Sequence, residues 1–262
     1  MAEAKELGLR LTYERFDVAA GDFDADDLGA LLSRLQADGF SGVNVTHPFK
    51  QVIMAHLDAL SPDASALGAV NTIVFRDGQR VGYNTDWIGW KRGFERVLPN
   101  ARLDTVVQLG AGGAGAAVAY AAMTLGVERL LLHDVDTERA AGLRSNLQGL
   151  FGSDRVEVVG SLSLALSAAN GLINATPIGM QQYPGTPVES SLLRPDLWVA
   201  DIVYVPAETE LLREARRIGC PTVDGVGMVV FQAAAAFELF TGKAPDPERM
   251  LRAFHGASFA HV

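Results

Sequence analysis

The stretch Val106-Val107-Gln108-Leu109-Gly110-Ala111-Gly112-Gly113-Ala114-Gly115 constrains this chain more than any other. A short apolar strand runs into G-x-G-x-x-G and then into an alanine-rich segment of helical character. Each glycine has a physical task in such a turn. Gly110 permits the tight reversal, Gly112 lets the backbone approach a pyrophosphate, and Gly115 lets the helix pack close to the strand. Gly113 and Ala114 open that helix, whose first N–H groups and positive dipole end would face the phosphates. The bland alternative is a tight turn of small residues that serves packing alone. The next apolar run ends at Asp134, where a carboxylate would accept hydrogen bonds from an adenosine ribose and repel a 2′-phosphate. The pattern favours NAD over NADP. Arg139 is the nearest cation, and Asp134, Asp136 and Glu138 surround it.

Around this turn the chain alternates strand and helix. Strands are expected at 105–109, 129–134, 156–159, 171–174, 198–202 and 221–223, with helices at 114–125, 137–150, 163–169 and 209–218. Such alternation implies a doubly wound parallel sheet with right-handed crossovers. Upstream, 2–9 reads as helix, 10–16 as strand, 26–37 as helix and 42–45 as a short strand. Pro48 sits where a helix should start, running to about Leu57. A hairpin is expected around Asp77-Gly78 and a helix over 86–97. Helices near 227–241 and 247–255 lack strand partners and should return to the first domain. The expected architecture is α/β in two domains: an N-terminal α/β substrate domain, 1–99 plus 230–262, and a dinucleotide domain, 100–229. A ligand is expected in the cleft between them.

The chain has 262 residues, 48% of them hydrophobic, and a net charge of −9 without a basic block. That argues against nucleic-acid or anionic-membrane partners. Neither a secretory signal nor a spanning segment is apparent, and no metal site is expected. The lone cysteine, Cys220, cannot form an intrachain disulfide, which suits a reducing cytoplasm.

Several short motifs carry residues suited to chemistry. In Asn44-Val45-Thr46-His47-Pro48-Phe49-Lys50 a strand ends and proline opens the expected helix, placing Lys50 in its first turn. The helix dipole disfavours a cation there, which favours the neutral amine and a role as general base; an ordinary exposed lysine is the alternative. Asp86 follows Asn84-Thr85 and would serve as an N-cap or as a functional acid. Asn71, at a strand start, would fix a turn or face a substrate hydroxyl. In Asp224-Gly225-Val226-Gly227-Met228 the glycines permit close approach to a flat ring, and Gln232 lies one helical turn after Met228.

Together these elements resemble the shikimate dehydrogenase family, and within it the NAD-dependent quinate/shikimate dehydrogenases. The resemblance runs from about residue 1 to residue 255. It rests on N-V-T-H-P-F-K at 44–50, G-A-V-N-T at 68–72, N-T-D at 84–86, G-A-G-G-A-G at 110–115, N-A-T-P-I-G-M at 174–180 and D-G-V-G-M-V-V-F-Q-A at 224–233. It implies a Rossmann cofactor domain and hydride transfer at the ring C3 hydroxyl or ketone of shikimate or quinate, a step of aromatic amino-acid biosynthesis. Lys50 and Asp86 are the implied catalytic pair. Thr46, Asn71, Tyr204 and Gln232 are implied to bind substrate. Asn174, Thr176 and Met180 are implied to border the cofactor, with Gly225 and Met228 near the nicotinamide. Asp134 stands where NADP-preferring members usually carry Asn-Arg-Thr, so NAD is the implied cofactor. The small-molecule partner is a cyclic hydroxy acid, and a monomer or homodimer is expected.

One part of the family pattern is not found. The family opens with a strand and a Ser-x-Ser motif that holds the substrate carboxylate. Here Met1–Leu7 resembles the helix after that motif, and no serine precedes Ser33. If Met1 is the true start, the expectation is weak substrate binding or poor stability; the alternative is a cofactor- or metabolite-binding relative with weak or lost turnover. A third alternative is a two-domain dehydrogenase of folate or amino acids, against which the lysine–aspartate pair, Asn71 and Gln232 argue.

Overall fold

The computed structural model describes residues 2–18, 21–24 and 26–256. The chain divides into two compact units, Met1–Thr85 with Ala233–Val262, and Asp86–Gln232. Met1 and residues 257–262, at the expected domain limits, lie outside the described residues.

In the first unit, α1 (Ala2–Glu6) and α2 (Leu28–Ala37) precede β1 (Gly42–Asn44), β2 (Ala59–Leu60), α3 (Pro62–Leu67), β3 (Thr72–Arg76) and β4 (Gln79–Tyr83). The sheet order is β1-β3-β4-β2. The β3–β4 hairpin turns on Asp77 and Gly78, both at positive φ (53° and 79°), the geometry that matches strand twist. Asp27 caps α2 by accepting the Ala30 N–H at 3.0 Å. Leu28 and Leu32 of that helix pack on Ile53, Ala64, Val70 and Ile73.

Two sequence expectations fail in this unit. Arg10–Phe16 forms no strand: its residues are mostly exposed, and it makes no ladder with any described strand. Alternation alone does not make a strand; a neighbour must take up its backbone groups. No α-helix follows Pro48 either. Residues 47–51 form turns, and Val52–His56 is a 3₁₀ helix. The Lys50 carbonyl accepts the Val70 N–H at 2.8 Å, while the Met54 N–H goes to Gln51. The i→i+4 ladder therefore does not close at Lys50, and the helix-dipole argument for this lysine falls with the helix. Conversely, α3 was not expected from the sequence, although Ser61 caps it, Pro62 opens it and Gly68 closes it at φ 62°.

The second unit begins with α4 (Asp86–Val97) and holds β5 (Thr105–Leu109), α5 (Gly113–Leu125), β6 (Arg129–His133), α6 (Thr137–Phe151), β7 (Val156–Val158) and α7 (Leu162–Ser167). Then come β8 (Gly171–Asn174), β9 (Trp198–Asp201), α8 (Glu210–Ile218) and β10 (Thr222–Val223). All six strands are parallel, in the order β10-β9-β8-β5-β6-β7. Their apolar runs reflect burial on both faces. Val106, Leu130, Leu132 and Ile173 meet α5 and α6 on one face. Val107, Leu109, Leu131, Leu172 and Val199 meet α7 and α8 on the other. Helix α4, assigned from sequence to the first domain, packs in the second unit, with Trp87 on Tyr120 at 5.3 Å and Phe94 on Trp198 at 4.8 Å. The long helix α9 (Gly225–Thr241) passes from the second unit into the first, and α10 (Pro247–Gly256) follows. Glu3 of α1, 4% exposed, is gripped by Arg249 of α10 at 2.6 and 2.7 Å and by the Asp246 N–H at 2.8 Å. No helix among the described residues is long and apolar enough to cross a membrane.

Candidate active site

In an open parallel sheet, ligands gather beyond the carboxyl ends of the strands where the winding reverses. Here that point lies between β5 and β8, whose last residues Leu109 and Asn174 pair in register. Gly110 leaves β5 at φ 92°, and a Cβ there would stand 2.6 Å from the Ala175 oxygen. A Cβ at Gly115 would stand 2.3 Å from the Gly110 oxygen. The protein's own packing thus demands glycine at both places. At Gly112 and Gly113 an added Cβ would meet no atom within 4 Å. Space is left open there, in front of α5. Gly112 caps that helix without any side-chain hydrogen bond. The N–H groups of Gly113, Ala114 and Gly115 are those an α-helix leaves without intrahelical acceptors. Open space before such donors suits an anionic diphosphate.

Asp134 closes one side of this turn. Its carboxylate accepts the Ala111 N–H at 2.7 Å and the Asp136 N–H at 2.9 Å, and its side chain is 6% exposed. The Arg139 guanidinium lies 3.7 Å from Asp134 and 3.1 Å from Asp136. The cation nearest this turn thus already faces two carboxylates.

The other side is the loop after β8. Asn174 is fully buried and its amide is used at both ends. Its oxygen accepts from the Thr176 N–H and hydroxyl at 3.1 and 2.7 Å. Its nitrogen donates to the Ile178 carbonyl and to Asp201, both at 3.0 Å. Met180, at the loop's end, is 37% exposed. Asp201 also accepts from the Val203 N–H at 3.0 Å and the Thr209 hydroxyl at 2.7 Å. Burial pushes its carboxyl up to about 6, against these hydrogen bonds, which lower it.

In the first unit, Lys50 and Asn71 are held close in the chain's hydrogen-bond pattern. Lys50 is anchored through its carbonyl to Val70, and Val45 donates its N–H to the Asn71 carbonyl at 2.8 Å, just before Thr46. The Asn71 oxygen accepts from the Thr85 N–H at 2.7 Å and the Thr72 hydroxyl at 3.0 Å, and its nitrogen donates to the Thr85 hydroxyl at 3.0 Å. One amide orientation satisfies all of these. Thr46 is exposed and Lys50 half-buried.

Thr85 is followed in the chain by Asp86, which is buried at the start of α4. One turn on, Gly89 meets α9 so closely that a Cβ would lie 2.4 Å from the Met228 oxygen and 2.7 Å from the Gln232 Cβ. The start of α9 presses equally on the loop after β9: a Cβ on Gly225 would lie 2.4 Å from the Ile202 oxygen. Tyr204, two residues further along that loop, is 42% exposed. Asp86, Gly225, Met228, Gln232 and the Tyr204 loop are therefore set by one tight helix contact and one tight loop contact. Among the described residues no group of three His, Cys, Asp or Glu side chains gathers to hold a metal.

Comparison with known proteins places this arrangement. A family profile described as shikimate dehydrogenase substrate binding domain matches residues 1–73, and one described as Shikimate 5'-dehydrogenase C-terminal domain matches residues 225–253. A shikimate dehydrogenase (NADP(+)) of Streptomyces avermitilis is 51% identical over 95% of this chain and 86% of its own length. The chain belongs to the shikimate dehydrogenase family. A quinate/shikimate dehydrogenase (NAD(+)) of Corynebacterium glutamicum is 46% identical over 97% of this chain and 90% of its own. The solved quinate dehydrogenase from Corynebacterium glutamicum in complex with NAD superposes with a TM-score of 0.94 at 46% identity, over 98% of this chain and 92% of that one.

Two polar residues that brace the glycine turn and the loops after β8 and β9 belong to no motif in the sequence. Gln108 and Asp201 are fully buried in the central strands. Their only signal was a single polar residue inside an apolar run, Val-Val-Gln-Leu in one case and Val-Ala-Asp-Ile in the other. A buried polar residue in a two-face-covered strand needs a reason, and here each is a hydrogen-bond hub at a strand's carboxyl end.

Proposed function

We propose that this member of the shikimate dehydrogenase family is an NAD-dependent oxidoreductase acting at the ring C3 hydroxyl or ketone of shikimate or quinate, interconverting them with 3-dehydroshikimate or 3-dehydroquinate. The observation that carries the reading is the open space at Gly112 and Gly113 before the first turn of α5, at the switch point of the sheet. NAD rather than NADP is supported by the Asp134 carboxylate beside that turn and by the Corynebacterium relatives, named for or solved with NAD. When bound, nicotinamide supplies the hydride chemistry.

In this reading Lys50 takes the hydroxyl proton during oxidation and returns it during reduction. Asp86 orients Lys50 or the hydroxyl and stabilises the lysine cation. Thr46, Asn71, Tyr204 and Gln232 hydrogen-bond the ring hydroxyls and fix which carbon reacts. Asn174, Thr176 and Met180 border the cofactor, with Gly225 and Met228 beside its nicotinamide end. The unit Met1–Thr85 with Ala233–Val262 serves the substrate, and Asp86–Gln232 serves the cofactor while lending Asp86, Tyr204 and Gln232 to the substrate. We place the protein in the cytoplasm, as a monomer or homodimer.

The test is direct. The protein is mixed with NAD and either shikimate or quinate, and reduced cofactor is followed at about 340 nm. Turnover with either acid is the expected result. Tight NAD binding without turnover on both would identify a cofactor-binding protein and overturn the enzymatic reading.

A further inference from the structure

Gln108 occupies the middle of the six-stranded sheet, paired in register with Leu132 on β6 and Ile173 on β8. It is wholly buried. Its Nε2 donates to the Gly110 carbonyl at 2.9 Å and to the Gly115 carbonyl at 2.8 Å. Two carbonyl acceptors fix the amide's orientation, because the reverse would set oxygen against two oxygens. The consequence is that Oε1 is buried with no hydrogen-bond partner among the described residues.

Such an orphaned acceptor is a penalty that a leucine or methionine in the same layer would avoid, and it offsets what the two bonds contribute. Net stability therefore does not account for the glutamine. Its effect is on shape. The amide ties the first glycine of the turn to the third, across the gap where the missing Gly115 Cβ allows a close approach. We infer that Gln108 is a positioning residue for the cofactor turn, holding the N–H groups of residues 113–115 in their outward orientation. The binding side of this inference rests on the NAD reading above; the structural side does not.

The test uses the full chain and the variants Q108M and Q108L, with hydrogen exchange, thermal melting and NAD titration. Both variants should melt near wild type, exchange the hydrogen-bonded amides of Gly110, Ala111 and Ala116 at least about tenfold faster, and bind NAD about tenfold or more weakly. KM for the cyclic acid should stay unchanged, a split that a general loss of structure would not produce. Unchanged exchange at Gly110, Ala111 and Ala116 overturns the inference whether or not NAD binds. Failure of both variants to fold, or lower melting with unaltered NAD affinity, assigns Gln108 to stability alone and overturns it too. If the wild-type chain binds no NAD, the cofactor reading fails separately, and hydrogen exchange still decides the role of Gln108.

Discussion

The Asp134 carboxylate accepts the backbone N–H of Ala111 at 2.7 Å, so the side chain proposed to choose the cofactor also fastens the glycine turn. The two tasks change together when residue 134 changes. In wild type, kcat/KM with NAD is expected to exceed that with NADP strongly. D134N keeps one acceptor for the turn but removes the charge that repels a 2′-phosphate, and it leaves Arg139 less engaged. The NAD/NADP ratio of kcat/KM should narrow at least about fivefold, since one charge interaction at about 4 Å is worth roughly 1 kcal/mol even at the dielectric of bulk water. D134A should weaken NAD as well. Equal efficiency with both cofactors in wild type would contradict this role for Asp134.

Lys50 owes its place to a long-range bond, its carbonyl meeting the Val70 N–H, rather than to a helix. Replacing its side chain should leave that backbone contact intact. K50A is therefore expected to fold and bind NAD normally while turnover falls on the order of 10²–10⁴-fold, as for loss of a general acid–base group. Steady-state kinetics beside an NAD titration check both halves. A turnover number equal to wild type removes Lys50 from the mechanism.

Those two residues also show what sequence pattern carries. Asp134 was legible because it ends an apolar run at a fixed relation to a glycine fingerprint. Lys50 is legible as a motif residue, yet its local structure is not, since no local periodicity encodes a hydrogen bond to Val70. The same limit explains Arg10–Phe16, where alternation suggested a strand but no described strand pairs with it. The parallel sheet of the second unit was easier: strands covered on both faces are short apolar runs, and their helices begin and end on capping residues such as Asp136 and Gly126. Helix α3 carried Ser61, Pro62 and Gly68 as start and stop signals, but six residues are too few for a periodic pattern to register. Gln108 and Asp201 stayed hidden because a motif search reads glycines and charges at turns, not polar residues inside strands.

The Glu3–Arg249 pair joins the first and last described helices, and the guanidinium holds the Glu3 carboxyl below the usual glutamate range. A depressed carboxyl contributes stability that is fully present above the unfolded value, about 4.3, and is lost as pH falls through the native value. E3Q should melt several degrees below wild type at neutral pH. The gap should hold down to about pH 5 and close on further acidification. Melting curves across that range test it, and a gap independent of pH would mean the carboxylate charge contributes nothing.

Asp201 has the opposite sign. Its native value is raised to about 6 from 3.8, so the folded state binds the proton more tightly than the unfolded state. The contribution of Asp201 to stability is then highest below the ordinary aspartate value, declines between about pH 4 and 6, and is flat above. The total decline is on the order of 3 kcal/mol from this group. D201N cannot titrate and should lack that limb of the profile. Urea unfolding at several pH values compares the slopes, and identical slopes in the two proteins would assign the limb to other groups.

Gly110 and Gly112 separate folding from binding within three residues of chain. Gly110 sits at φ 92° with backbone oxygen 2.6 Å from where a Cβ would go. G110A should therefore destabilise the fold by about 2 kcal/mol or more, from left-handed strain plus a clash with backbone that cannot move aside. Gly112 sits at φ −71°, open to any residue, and a Cβ there meets nothing within 4 Å. G112A should melt within a few degrees of wild type, since alanine's gain in chain stiffness is set against its poorer fit at a helix N-cap. Its methyl group nevertheless fills the space before the first turn of α5. NAD should bind at least about tenfold more weakly, as backbone donors and phosphate oxygens are forced apart beyond hydrogen-bond length. Melting and NAD titration on the two variants make the comparison. A G112A protein that binds NAD as wild type does would put the phosphates somewhere other than this turn.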